Sequence, residues 1–103
     1  MEITADELSE RLKSVQPPHL LDVREPEEFA LVALESAQLI PLGELSRRAG
    51  EIPAGVEVVV YCHHGVRSLQ AVGILGSHGR AASSLKGGID LWARRIDPSL
   101  PRY

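Results

Sequence analysis

The sequence predicts an α/β domain in which helices cover both faces of a mainly parallel sheet, because strand-like and helix-like segments alternate along its 103 residues. The clearest strand-like segment, residues 57–62, contains three consecutive valines and is followed by a glycine-containing loop. Residues 19–23, HLLDV, form a short apolar run, as in parallel strands that are buried on both faces. No repeat or linker divides the chain, so we interpret residues 1–103 as a single domain.

The first third of the chain predicts a helix, a strand and a second helix. Thr4 and Glu7 have the spacing of a capping box, and apolar residues then recur at helical intervals until two consecutive prolines end the pattern. Residues 19–23, HLLDV, form a short apolar run of the kind found in a buried strand. Pro26 suits the first turn of the second helix, and the helix formers that follow extend it through Glu35.

The rest of the chain predicts three further pairs of strand and helix. The predicted strands are 37–41, 57–62 and 81–85, and the predicted helices are 42–50, 67–78 and 89–97. Gly79 is expected to cap the longest of these helices.

Composition and charge exclude several classes of function. The net charge is -3 and no block of like charges is present, so nucleic acid is not an expected partner. The first residues, MEITADELSE, are acidic and polar, unlike a secretion signal, and no apolar run approaches the roughly 20 residues of a membrane helix. The single cysteine cannot form an intramolecular disulfide and suits a reducing compartment. We therefore expect a cytoplasmic protein that does not contact the membrane.

The residues from Cys62 to Ser68 form the candidate site. Ligands of parallel sheets bind beyond the carboxyl ends of the strands, and Cys62 ends the strongest predicted strand. The loop after it runs through His63, His64, Gly65 and Val66 to Arg67, where a helix begins. Such a loop can turn its backbone N–H groups inward, and the helix dipole adds about half a positive charge. A sulfur at the bottom of this cradle is favoured as the nucleophilic thiolate.

Three residues have expected roles around that sulfur. Gly65 allows the tight bend, Arg67 is placed to hold an incoming oxyanion, and Ser68 is placed to donate a hydrogen bond to the sulfur. The alternative for Cys62 is a structural thiol, because free cysteine is among the residue types most often buried. The strand end, the loop glycine, the arginine and the following helix all favour the nucleophile.

The segment CHHGVRS, residues 62–68, resembles the active-site loop of the rhodanese family, in which a cysteine, four intervening residues and often an arginine form a sulfur-carrying site. LLDVREPEEF at 20–29 resembles an earlier signature of the family, and LKGGIDLWA at 85–93 resembles its closing segment. The chain departs from the family over 32–37, where VALESA replaces a Gly-His-Ile-Pro-Gly-Ala-like stretch and leaves the local loop geometry open.

The resemblance implies a small sheet of about five parallel strands between helices, and a sulfurtransferase that carries sulfane sulfur as a persulfide on Cys62 without a cofactor. The implied donor is thiosulfate or another sulfane-sulfur compound, and the implied acceptor is cyanide, a thiol or a protein. The alternative is a protein-to-protein carrier module that is loaded by a cysteine desulfurase and turns over little thiosulfate. Related phosphatases have Cys-x5-Arg, one residue longer than the Cys-x4-Arg here, which disfavours phosphatase or arsenate reductase chemistry.

Other polar residues near the loop have two interpretations each. His63 and His64 are adjacent in a tight loop, so we expect them to shape the pocket entrance and not to bind a metal. Asp22 and Arg24 follow a strand expected beside the active-site strand, where they either orient the loop through charge-assisted hydrogen bonds or form a surface turn pair. Trp92 is expected to anchor the core and not to line the pocket.

Overall fold

A computed structural model covering residues 1–103 shows five parallel strands with helices on both faces, which confirms the predicted fold class. The strands are β1 (Glu2–Ile3), β2 (His19–Asp22), β3 (Gln38–Leu39), β4 (Val58–Tyr61) and β5 (Ser83–Leu85). The helices are α1 (Ala5–Leu12), α2 (Pro26–Leu31), α3 (Leu45–Arg48), α4 (Val66–Ser77) and α5 (Gly88–Arg95), and short 3-10 turns flank α3 at Leu42–Glu44 and Ala49–Glu51. The sheet order is β1-β5-β4-β2-β3, which places β4 at the centre.

The central strand β4 divides the core into two layers. All four of its residues are buried, and successive side chains point to opposite faces of the sheet. Val58 and Val60 pack with α3 and α4 on one face. Val59 and Tyr61 pack with α1 and α5 on the other, where Trp92 is also buried, as predicted. Because both faces are covered, the open end of the sheet is the place left for a site.

The predicted second helix is wrong in its length, because α2 ends at Leu31 and not at Glu35. Val32 has an extended backbone, with φ -163° and ψ 139°, and its carbonyl oxygen accepts a 2.6 Å hydrogen bond from Arg24. The Leu34 N–H donates to the hydroxyl of Tyr61 at 3.1 Å. These buried tertiary contacts override the helix propensity of the segment.

Two further details differ from the predicted elements. The strand β1 was not predicted from its residues, and it pairs with β5 through Glu2 and Ile3 alone. Cys62 lies immediately after β4 and not within it.

The helix α1 begins at the predicted capping box, where Thr4 and Glu7 exchange hydrogen bonds of 2.9 and 3.1 Å. None of the helices combines the length and the apolar character needed to cross a membrane.

Candidate active site

The sulfur of Cys62 lies at the bottom of the loop that joins β4 to α4. Cys62 is 1% exposed, and the Gly65 N–H donates a 3.1 Å hydrogen bond to its Sγ. The Ser68 N–H donates to the same atom at 3.4 Å. Gly65 has φ 105°, a conformation that favours glycine and turns its N–H toward the sulfur. The loop is therefore a cradle of donors at a helix N-terminus, which stabilises a thiolate or another sulfur anion.

A pair of buried hydroxyl groups extends this cradle. The Oγ of Ser68 is 3.5 Å from the Cys62 Sγ and 2.7 Å from the Oγ of Ser84 on β5. Both serines are fully buried. The Ser68 hydroxyl lies beside the sulfur, and its donation to that atom stays a prediction. Ser84 was not predicted, because its sequence signal is only a small polar residue at a strand position.

The carbonyl groups of the loop point away from the sulfur, because the N-terminus of α5 binds them. The Ile89 N–H donates to the Cys62 oxygen at 2.9 Å, and the Asp90 N–H donates to the His63 oxygen at 3.1 Å. Gly88 makes this approach possible, since a Cβ added there would lie 2.3 Å from the His63 oxygen. The paired glycines of the third motif thus hold the orientation of the active-site loop.

Arg67 lies at the rim, where its guanidinium binds Glu28 on α2. Its two terminal nitrogens donate to the two carboxylate oxygens of Glu28 at 2.7 and 2.9 Å. The hydrogen bonds from Arg67 lower the pKa of Glu28 to about 2. The same pair raises the pKa of Arg67. The residue predicted to bind an oxyanion therefore already holds a carboxylate, and the sequence interpretation missed Glu28.

Asp22 and Arg24 form a fully buried ion pair, which excludes the surface turn pair. The Asp22 carboxylate accepts from the Arg24 backbone N–H at 2.9 Å, and from Nε and Nη2 at 3.0 and 2.6 Å. The side-chain hydrogen bonds of Arg24 go to Asp22, Tyr103 and the Glu28 and Val32 carbonyl groups, and none goes to the Cys62 loop. Its Nη1 donates to the hydroxyl of Tyr103 at 2.7 Å, so it reaches the site through that residue.

Tyr103 joins the buried pair to the rim. Its hydroxyl accepts from Arg24 and donates to the Oε2 of Glu28 at 2.8 Å. Its ring stacks on His63, with centroids 3.9 Å apart and planes at 6°. Burial and the neighbouring His64 lower the pKa of His63, which favours the neutral imidazole. Val66, another residue of the predicted site, has an exposed apolar side chain at the start of α4.

The structure brings His63 and His64 close to Asp90 on α5. Their potential ligand atoms lie within 4.8 Å of one another, a grouping that the sequence did not indicate. The Asp90 carboxylate accepts from Arg102 at 2.9 Å and lies 3.3 Å from the Nε of Arg94. Two guanidinium groups thus offset its charge, which disfavours a cation at this position.

Fold and site together define a class of protein, an α/β domain that presents one cysteine in a cradle of N–H donors at the end of its central strand. The model of the Rhodanese-like domain family matches residues 4–95, and the chain belongs to that family. This match confirms the resemblance found in the sequence.

Relatives and solved structures agree with the family. A protein named sulfurtransferase from Allochromatium vinosum is 38% identical over 94 residues, which cover 90% of this chain and 88% of that protein. The probable adenylyltransferase/sulfurtransferase MoeZ from Mycobacterium tuberculosis is 36% identical over 98% of this chain, but the match spans only 26% of that longer protein. A rhodanese-like domain protein from Staphylococcus aureus has a TM-score of 0.86 and 31% identity, covering 100% of this chain and 99% of that one.

Proposed function

We propose that this protein is a sulfurtransferase that carries sulfur as a persulfide on Cys62. The observation that carries the proposal is the pair of backbone N–H groups, from Gly65 and Ser68, that bind the Cys62 Sγ at 3.1 and 3.4 Å. Such N–H groups stabilise the Cys62 thiolate that attacks the sulfur donor. They also stabilise the thiolate that forms again after the sulfur has been transferred. The sulfurtransferase from Allochromatium vinosum, which aligns over most of both chains, supports the same class of reaction.

In the proposed reaction the Cys62 thiolate attacks the outer sulfur of a donor of the thiosulfate type. The new bond joins the Cys62 sulfur to that atom, the S–S bond of thiosulfate breaks, and its electron pair leaves with sulfite. An acceptor thiolate or cyanide then attacks the outer sulfur of the persulfide, and the Cys62 sulfur recovers the electron pair as a thiolate. Both steps balance without a cofactor, and the cytoplasm, where thiols stay reduced, suits them.

A second candidate function is a carrier that takes sulfur from one protein and delivers it to another. The observation that favours it is the ion pair of Arg67 with Glu28, because a guanidinium bound to a carboxylate is poorly available to a small oxyanion. The longer MoeZ protein is named both an adenylyltransferase and a sulfurtransferase, and this combination is compatible with delivery of sulfur to a protein. The two candidates share Cys62 and differ in the donor.

Intact-protein mass spectrometry tests the proposal directly. After incubation with thiosulfate, the wild type should gain the mass of one sulfur atom, ~32 Da, through the reactive thiolate of Cys62. A reducing agent should remove this mass, because it cleaves the S–S bond of a persulfide. Cys62→Ala is a complete control, because Cys62 is the single cysteine of the chain. A gain with cysteine persulfide but not with thiosulfate would support the carrier. No gain with either donor would overturn the persulfide proposal.

A further inference from the structure

We propose that Glu28 is a specificity-determining residue, which makes the site select against small dianionic sulfur donors and in favour of persulfide donors of lower charge. This inference rests on the proposed persulfide function of Cys62. It concerns the residue that holds Arg67, and not the sulfur cradle itself.

The Glu28–Arg67 pair has the geometry of a strong ion pair. The contact is bidentate, with both terminal nitrogens of the guanidinium on both carboxylate oxygens at 2.7 and 2.9 Å. Charge-assisted pairs of this form are the strong ones, and they present the same fork of donors that a thiosulfate oxyanion would use. The Arg67 and Glu28 side chains are only 32% and 20% exposed, so water screens the pair incompletely.

Four hydrogen bonds hold the Glu28 carboxylate in place. Besides the two bonds from Arg67, its carboxylate accepts from the Tyr103 hydroxyl at 2.8 Å and from the Glu25 backbone N–H at 3.0 Å. A carboxylate has about four acceptor sites, so these four bonds occupy all of them. Arg24 in turn fixes the Tyr103 hydroxyl at 2.7 Å. The negative charge of Glu28 is therefore anchored to the buried ion pair behind it.

The consequence follows from charge at the mouth of the site. A dianion that approaches Cys62 meets the fixed carboxylate of Glu28 and a guanidinium that this carboxylate already neutralises. Arg94 and Arg102 are also paired, since both contact Asp90. Cysteine persulfide has a lower net charge than thiosulfate, because its carboxylate and ammonium groups offset each other and only the persulfide sulfur adds a negative charge. The N–H groups of Gly65 and Ser68, which bind the Cys62 Sγ at 3.1 and 3.4 Å, supply donors for that sulfur charge without Arg67.

The test is Glu28→Gln in the full chain, with thiosulfate and cysteine persulfide as the two donors. The glutamine keeps the size of the side chain but frees the charge of Arg67. We expect the KM for thiosulfate to fall by about tenfold, the ratio expected for one charge-assisted hydrogen bond gained by the dianion. The ratio of thiosulfate loading to cysteine persulfide loading should rise by the same factor.

Glu27→Gln is the matched control, because Glu27 lies on the same helix, is exposed and carries the same charge. It should leave the thiosulfate KM near the wild-type value. Ionic strength gives a second readout, since KM of Glu28→Gln should rise with salt more steeply than KM of the wild type. Tyr103→Phe, which removes one bond to Glu28, should shift the ratio of loading in the same direction by less.

Two results would overturn the inference. A thiosulfate KM for folded Glu28→Gln that equals or exceeds the Glu27→Gln value would show that Glu28 orients Arg67 for the dianion and does not exclude it. Failure of the wild type to load from either donor would instead reject the persulfide function on which the inference rests. A far-UV circular dichroism melt establishes that each variant is folded before its kinetics are compared.

Discussion

Replacing Asp22 by asparagine should leave the guanidinium of Arg24 buried without a counter-charge. Three donors of Arg24 bind the Asp22 carboxylate at 2.6 to 3.0 Å, and both side chains are 0% exposed. Removing one member of such a pair costs about 3–5 kcal/mol, because the remaining charge is neither solvated nor paired. A domain of this size has a stability of roughly 5–15 kcal/mol, so the variant loses a large share of it.

Urea unfolding followed by circular dichroism measures this loss, which corresponds to a midpoint lower by on the order of 2 M. Asp6→Asn is the control, because Asp6 and Arg95 form an exposed pair of 2.9 and 2.6 Å with both side chains 58% exposed. Its cost should be about 0–1 kcal/mol. If Asp22→Asn loses as little stability as Asp6→Asn, the buried Asp22–Arg24 pair does not stabilise the fold more than the exposed pair does.

A double variant separates charge burial from lost packing. Arg24→Met added to Asp22→Asn removes the stranded cation while filling a similar volume, so it should be more stable than Asp22→Asn alone. If Asp22→Asn alone fails to fold, folding of the double variant still shows that the stranded charge was the cause. A double variant no more stable than the single one would assign the loss to packing.

Two other substitutions test how the Cys62 loop and the segment 32–37, which departs from the family pattern, are held in place. Gly88→Ala should abolish sulfur loading of Cys62, since the new Cβ would lie 2.3 Å from the His63 oxygen. Gly76→Ala in α4 is the control, because its new Cβ meets no atom within 4 Å; it should load normally and gain about 0.5–1 kcal/mol of stability. Normal loading by Gly88→Ala would refute the role given to α5. Tyr61→Phe should cost about 1–3 kcal/mol in urea unfolding, because the buried Leu34 N–H loses its 3.1 Å acceptor, and an unchanged midpoint would show that water replaces the hydroxyl.

The elements and residues that were predictable are those with local signals. The valines of β4 and the loop from Cys62 to Ser68 are continuous in sequence, so strand, turn and helix start are visible side by side. The short strand β1 escaped because two residues show no periodicity, and only its pairing with β5 defines it. The predicted length of α2 was wrong because Val32 and Leu34 form hydrogen bonds with the buried side chains of Arg24 and Tyr61, which lie outside the helix.

The residues around Arg67 were not predictable for the same reason. Glu28 lies 39 positions from Arg67, and Tyr103 lies 75 positions from Glu28. The order of the strands brings Glu28 and Arg67 together, and the segment after α5 brings Tyr103 to them; no spacing in the sequence reports either arrangement. Asp22 and Arg24 were located correctly at a strand end, but their burial depends on the segment from Val32 folding over them.

The depth of Cys62 decides which product a sulfur exchange can give. A nucleophile can strike either atom of a persulfide, and the outcome depends on which one it reaches. Attack on the inner atom would expel hydrosulfide and leave the acceptor cross-linked to the protein. Cys62 is only 1% exposed, so its own sulfur, the inner atom of a persulfide, is shielded, and we expect an acceptor to reach the outer atom instead. In the proposed persulfide, burial thus converts a reaction with two possible outcomes into delivery of the sulfur atom.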